Sequence, residues 1–359
     1  MAAAQPLTAE GVLRRRLKRS LGWGTVMSGA AALARRGQRG RLRILMYHGV
    51  VPRRQGPAAF GDLFISQDDF ARQMRHLQRA FRVLALDEAL DVMAAHGRFP
   101  DRAVLLTFDD GYRNTLITAL PILQALRLPA TVFVVPGLID RGESLWFDGL
   151  RVLVAQGALR SRHLELGEGI ILDGRTRADP ERTFAEVAQR IMTLPCGPSE
   201  RVVERIGELV GDDGLMERHP EFALAGWEEW RQAVAGHLVT VGSHGLLHSN
   251  LLSLDPQGRL EELRQSKRRI EEILGSTCRA LAYPYGAWDH ALADAAREAG
   301  YACAMTTDEG LNDAGDDPLT LCRTMSGDQG HVALFCARVS GVWETLRTWH
   351  PGGDHVVRG

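Results

Sequence analysis

After residue 42, short apolar runs alternate with amphipathic helical segments as far as Arg323, with an interruption at 140–235. Parallel strands need a crossover long enough to hold a helix, so this alternation selects a mainly parallel sheet. Strands are predicted at Arg43–Tyr47, Val83–Leu86, Ala103–Thr107, Ala130–Val135, His237–Val241, Arg279–Tyr283, Tyr301–Met305 and Leu319–Arg323. Ser66-Gln67-Asp68-Asp69 supplies N-cap chemistry for a helix whose apolar positions include Phe70, Met74, Leu77 and Phe81. Arg259–Leu274 places Leu260, Leu263, Ile270 and Ile273 on one helical face, and Gly330–Trp349 reads as a closing helix. His48, Asp109, Asp110, His244 and Tyr285 stand just after predicted strands, and Arg323 ends one. In a closed α/β barrel the strand C-termini share one face, and sites are built there.

A chain of 359 residues could hold two or three domains, but one α/β barrel with insertions fits equally well. With 45% hydrophobic residues it can bury a sizeable core. The net charge of -1 hides a basic arm, residues 1–40, in which Arg14, Arg15, Arg16, Lys18, Arg19, Arg35, Arg36 and Arg39 face a single acid, Glu10. The rest of the chain compensates, so no whole-protein nucleic-acid footprint is present. Residues 21–34 have the outline of a signal peptide, yet they hold three glycines and run straight into Arg35-Arg36. The run is too short to span a bilayer. A basic arm in weak peripheral contact with an anionic membrane or partner is the alternative reading. Five widely spaced cysteines without a C-x-x-C read as reduced, buried residues, and a cytoplasmic protein is expected.

Residues 140–235 interrupt the rhythm and are read as a mainly helical insertion over the barrel mouth. They carry a helix with Phe184, Val187, Ile191 and Met192 and a hairpin around Gly167–Gly174.

The run Leu105-Leu106-Thr107-Phe108-Asp109-Asp110-Gly111-Tyr112 ends a strand on two adjacent carboxylates. Such a pair resists joint ionisation and suggests a bound cation. Ser243-His244-Gly245-Leu246-Leu247-His248 adds two imidazoles at i and i+4. With Asp110, His244 and His248 as ligands the site has the three-ligand count of a catalytic metal, and zinc suits the donors, although other divalent ions fit them too. Asp109 is then free to act as general base. An ordinary turn with surface histidines is the plain alternative. His48 could protonate a leaving amine or be structural. Tyr283-Pro284-Tyr285-Gly286 could aim a backbone N–H at an oxyanion or be a simple turn. Trp288 could stack on a sugar ring or pack in the core.

Together these residues resemble the polysaccharide deacetylase family, the carbohydrate esterase group that includes nodulation-type chitooligosaccharide deacetylases. Thr107-Phe108-Asp109-Asp110-Gly111 is similar to its first motif, Ser243 to His248 to its second, and Tyr283-Pro284-Tyr285-Gly286 to a variant of its third. The resemblance covers roughly residues 42–340, outside the arm and insertion. It implies a distorted (β/α)7 barrel and metal-dependent removal of N- or O-acetyl groups from carbohydrate. It also implies Asp109 as base, Asp110, His244 and His248 as ligands, and the Tyr285 N–H in the oxyanion site. Two features depart from the family pattern. Ala282 stands where an arginine usually braces the catalytic aspartate, and Arg323 is the candidate replacement. The C-terminal leucine-x-histidine that supplies the general acid is missing, with His331 in the right region but the wrong context. Met46-Tyr47-His48 is similar to a branch acting on poly-N-acetylglucosamine, which makes His48 the candidate acid.

The expected function is therefore metal-dependent N-deacetylation of a polymer, oligosaccharide or lipid-linked glycan containing N-acetylhexosamine. The alternatives are a deformylase acting on a formamido sugar and a non-catalytic carbohydrate-binding protein.

Overall fold

The structure, a computed structural model, describes residues 39–61, 63–155, 163–173, 180–194, 196–212, 214, 216–326 and 332–341. The basic segment 1–38, His331 and the tail 342–359 lie outside the described residues.

Strand β1 (Leu42–Tyr47) is buried at every position, as a strand covered on both faces must be. Strands β2 (Gly49–Val51) and β3 (Phe64–Ser66) form a short parallel pair. Ser66 then caps α1 (Gln67–Ala80), its hydroxyl accepting from the Asp69 amide, and Phe70, Met74 and Leu77 turn inward. Next come β4 (Arg82–Leu84), α2 (Leu86–Ala94) and the fully buried β5 (Ala103–Phe108). A π-helical turn at Thr115–Ala119 leads into α3 (Leu120–Leu126), and β6 (Ala130–Val134) is again buried throughout.

The next stretch holds α4 (Pro136–Arg141), α5 (Trp146–Ala155), an antiparallel hairpin of β7 (His163–Gly167) and β8 (Ile170–Asp173), α6 (Pro180–Met192) and α7 (Cys196–Asp212). Its apolar side chains, among them Leu150, Leu153, Ile191 and Ile206, form a cluster separate from the barrel core. Phe64, Tyr112 and Val135 from the barrel join that cluster. Helix α8 (Trp227–Ala235) lies within the span read as insertion, yet Trp230 and Ala233 pack into the barrel core.

The alternation resumes with β9 (Val239–Ser243), α9 (Pro256–Leu274), β10 (Ala280–Ala282), α10 (His290–Glu298), β11 (Cys303–Met305), β12 (Thr324–Met325) and α11 (Val332–Val339). The main sheet runs β11-β10-β9-β6-β5-β1-β12 with every neighbour parallel, and β4 pairs off this path with the start of β5. Leu321 bridges Met305 while Thr324 and Met325 pair with Leu45 and Met46. The segment 321–325 thus touches both ends of the sheet, giving the distorted (β/α)7 barrel expected from the sequence. The buried Arg43 of β1 donates to the Thr324 hydroxyl across this closure at 2.9 Å.

Two predicted strands are displaced. Leu319–Arg323 is not a strand: Pro318 opens a 3-10 turn, the Asp317 carboxylate accepts from the Leu319 amide, and pairing with β1 starts only at Thr324. His237 has φ +59° and its amide donates to Val234, so it ends α8 and β9 starts two residues later. No helix among the described residues is long and apolar enough to cross a membrane.

Candidate metal centre

Strand β5 ends at Asp109, whose amide still donates to the Tyr47 carbonyl at 2.9 Å. The chain then turns sharply, with φ +73° at both Asp110 and Gly111. Gly111 is required there, since a Cβ would also meet Val134 at 3.1 Å. A left-handed aspartate is strained and persists only where its surroundings over-determine it. Here the segment 223–225 does so: Ala225 donates to the Gly111 carbonyl and Arg113 to that of Ala223.

The histidines sit on the loop after β9. The His244 amide donates to the Val134 carbonyl at 2.8 Å, and its ring Nδ1 donates to the Ala282 carbonyl at 2.8 Å. That second bond selects the tautomer whose Nε2 carries a lone pair, the form a metal ligand needs. Burial pushes the His244 ring down to about 4, so the neutral form prevails. Between the histidines the Leu246 amide donates to Glu262 of α9 at 2.8 Å, and the Gly137 amide donates to the Leu246 carbonyl. His248 is itself left-handed, at φ +58°.

The strand end and the loop converge. One ligand atom each from Asp110, His244 and His248 lies within 4.8 Å of the others, and all three residues are buried. Nε2 of His244 and of His248 stand 3.5 and 3.4 Å from the same Asp110 oxygen. Neither oxygen of Asp110 has a hydrogen-bond partner, and neither does Nδ1 of His248. Buried polar atoms left this way cost free energy, and a divalent ion in their midst would satisfy the carboxylate. The donor set of one carboxylate and two imidazoles fits such an ion and leaves coordination positions open.

Asp109 is held apart from this group by Arg323. The guanidinium donates from both terminal nitrogens to both Asp109 oxygens, at 2.7 and 2.8 Å, and from Nε to the Thr306 carbonyl. Burial alone would raise the Asp109 carboxyl, but Arg323, His244 and His48 outweigh it and hold the group below the usual range. For Asp110 burial is likewise overcome, by His248, His48 and His244. Arg323 acts on Asp109 and His248 on Asp110, while His48 and His244 lower both carboxyls.

Half-buried His48 follows β1 and is among the groups whose charge acts on both carboxylates, and its carbonyl accepts from Thr115. Tyr285 follows β10 with φ +60°, and its ring meets that of His248 edge-on at 4.6 Å. Half-buried Trp288 donates to Asp308 at 2.9 Å.

The family model for polysaccharide deacetylase matches residues 96–163 and 205–304. The chain belongs to the polysaccharide deacetylase family. It is accordingly a hydrolase acting on carbon–nitrogen bonds. YxkH of Bacillus subtilis (strain 168), classed as a polysaccharide deacetylase, is 21% identical over 301 residues, which is 84% of this chain and 72% of YxkH. The fold is similar to that of the Streptococcus pyogenes deacetylase PplD, with TM-score 0.56, 17% identity, and coverage of 85% of this chain and 97% of PplD. It is also similar to that of IcaB from Ammonifex degensii, with TM-score 0.54, 21% identity, and coverage of 84% and 97%.

The family model leaves residues 164–204 unmatched, and β8, α6 and most of β7 lie there. Two aromatics at the start of α5 reach the site, and sequence reasoning missed them. Trp146 donates to the Tyr285 hydroxyl at 2.9 Å, and the Phe147 ring meets His248 edge-on at 5.5 Å. The adjacent aromatics Trp146-Phe147 were the one available signal, and nothing in their spacing tied them to the histidines.

Proposed function

We propose that this polysaccharide deacetylase is a metal-dependent N-deacetylase of a glycan containing N-acetylhexosamine, such as a chitooligosaccharide or a poly-N-acetylglucosamine-like polymer. The observation that carries the reading is the buried Asp110, His244 and His248 group beside the Arg323-held Asp109. PplD, similar in fold, was solved in complex with acetate, the acid that deacetylation releases.

Asp110, His244 and His248 would hold a divalent ion such as zinc, which would supply Lewis acidity at the site. Asp109, ionised and fixed in orientation by Arg323, takes the proton that the attacking water gives up. The Tyr285 N–H donates to the oxygen of the former acyl carbonyl as negative charge develops there. His48 passes a proton to the departing sugar amine, without which the carbon–nitrogen bond would expel a poor leaving group. Phe147 and Tyr285 pack edge-on against His248, and Trp146 bonds the Tyr285 hydroxyl.

Metal content of the wild type beside His244→Ala, followed by acetate release from N-acetylglucosamine oligomers, tests the reading. One divalent ion per chain, lost in the variant, together with acetate release supports it. Formate from a formamido sugar in place of acetate would change the acyl group, and a wild type that binds no metal would overturn it.

A further inference from the structure

Asp148 is a buried carboxylate that the proposed mechanism does not use. It lies in the first turn of α5 with no exposed surface, and its Oδ2 accepts from the Tyr112 hydroxyl at 2.6 Å. Its other oxygen lies 3.5 Å from Nε of Arg151, one helical turn further on. The Arg151 guanidinium donates to the Phe60 carbonyl and sits 4.4 Å over the Phe184 ring. Tyr112 is equally buried and stands two residues after Asp110. The Tyr112–Asp148 bond therefore joins α5 to the strained turn that carries Asp110, and Arg151 beside it ties α5 to the loop before β3 and to α6.

Such a network would be costly if its only purpose were adhesion, because apolar residues could fill the same space. Its value lies in positioning. A left-handed Asp110 needs its neighbours held, and 223–225 holds the backbone of 111–113. The Tyr112 side chain enters the apolar cluster centred on the insertion, where its hydroxyl would be unsatisfied without Asp148. The same turn of α5 carries Trp146, which bonds the Tyr285 hydroxyl.

We propose that Asp148 is a positioning residue for the metal site, acting through Tyr112 to hold the Asp109-Asp110 turn in its ligating conformation. The insertion is then a brace for the catalytic turn. This rests on the metal-site reading given above.

The test is cobalt(II) binding to the full chain, read by affinity and by the visible spectrum of the bound ion. Wild type is compared with Tyr112→Phe, Asp148→Asn, the double variant and Val202→Ala. Val202 is a buried insertion residue outside the network, so its truncation loosens the insertion alone. Tyr112→Phe and Asp148→Asn should each weaken cobalt affinity by about tenfold and alter the spectrum, as loss of outer-sphere support does. The double variant should be no worse than the weaker single, because both changes break one link. Val202→Ala should lower the melting temperature and leave the spectrum unchanged. If Asp148→Asn does not fold, Tyr112→Phe carries the test, since it removes only a hydroxyl. Wild-type affinity and spectrum in Tyr112→Phe overturn the proposal, as does an equal spectral change in Val202→Ala. A wild-type chain that binds no cobalt overturns the metal-site reading and the proposal with it.

Discussion

Arg323 meets Asp109 across 214 residues of sequence, with both guanidinium nitrogens on both carboxylate oxygens and neither side chain more than 3% exposed. Ala282, at the end of β10, offers its carbonyl to His244. The brace thus comes from the segment that closes the barrel. Loss of Arg323 leaves a carboxylate buried without its cation. Arg323→Ala should destabilise the protein by about 3–5 kcal/mol, measured by chemical denaturation. Arg323→Lys keeps the charge but not the fork, so stability should recover in part while acetate release stays low. Full activity in Arg323→Lys would show that charge alone suffices.

The two adjacent aspartates should separate cleanly on substitution. Asp109→Asn removes the proposed base and should cut kcat by ~10²–10⁴ while metal content stays at the wild-type level. Asp110→Asn weakens a ligand and should lower metal content itself. Elemental analysis beside acetate release decides between them, and a reversed pattern would exchange the two roles.

Gly137 lies against the histidine loop with no room for a side chain. A Cβ there would meet the Leu246 carbonyl oxygen at 2.6 Å and Leu247 at 2.7 Å. Its amide also donates to that carbonyl, so the loop cannot move away without breaking the bond. Gly137→Ala should cost about 1–3 kcal/mol and weaken metal binding together. A variant with wild-type melting temperature and metal affinity would contradict this packing.

Burial pushes the thiols of Cys278 and Cys303 up to about 12, from an ordinary value of 9.0. A raised folded value means that the folded chain keeps the proton after the unfolded chain has lost it. The stabilising contribution is complete below pH 9 and is lost as pH rises from there toward 12. Unfolding followed by denaturant across pH 8 to 11 should show this alkaline loss, reduced in Cys303→Ala relative to its own stability at pH 8. At pH 8 neither thiol should react with a disulfide reagent until the chain unfolds.

For the arm, we propose weak attachment to anionic membranes through its run of arginines and lysine. Full-length protein should pellet with phosphatidylserine vesicles at low salt, and a form lacking residues 1–40 should not. Equal pelleting would remove the idea.

Much of the barrel was legible because its signals are short-range. The apolar run Leu105 to Phe108 and the spacing of Leu263 and Ile270 report burial within a few residues, so β5 and α9 follow from local pattern. The grouping of Asp110, His244 and His248 was legible for the same reason: Asp110 ends a run, and His244 and His248 share one loop. At 319–323 the local signal misled, because the apolar content suggests a strand while Pro318 and Asp317 form a turn. Trp146, Asp148 and Tyr112 were silent because no periodicity links them.

The sequence by itself determined the alternating parallel sheet, the carboxylate pair and the histidine pair, since each is written in the preferences of neighbouring residues. Only the tertiary structure decided that Arg323 holds Asp109, that Ala282 orients His244 and that Asp148 holds Tyr112. A buried charge or hydroxyl takes whichever partner barrel closure and insertion docking bring within reach, and both events join segments far apart in the chain.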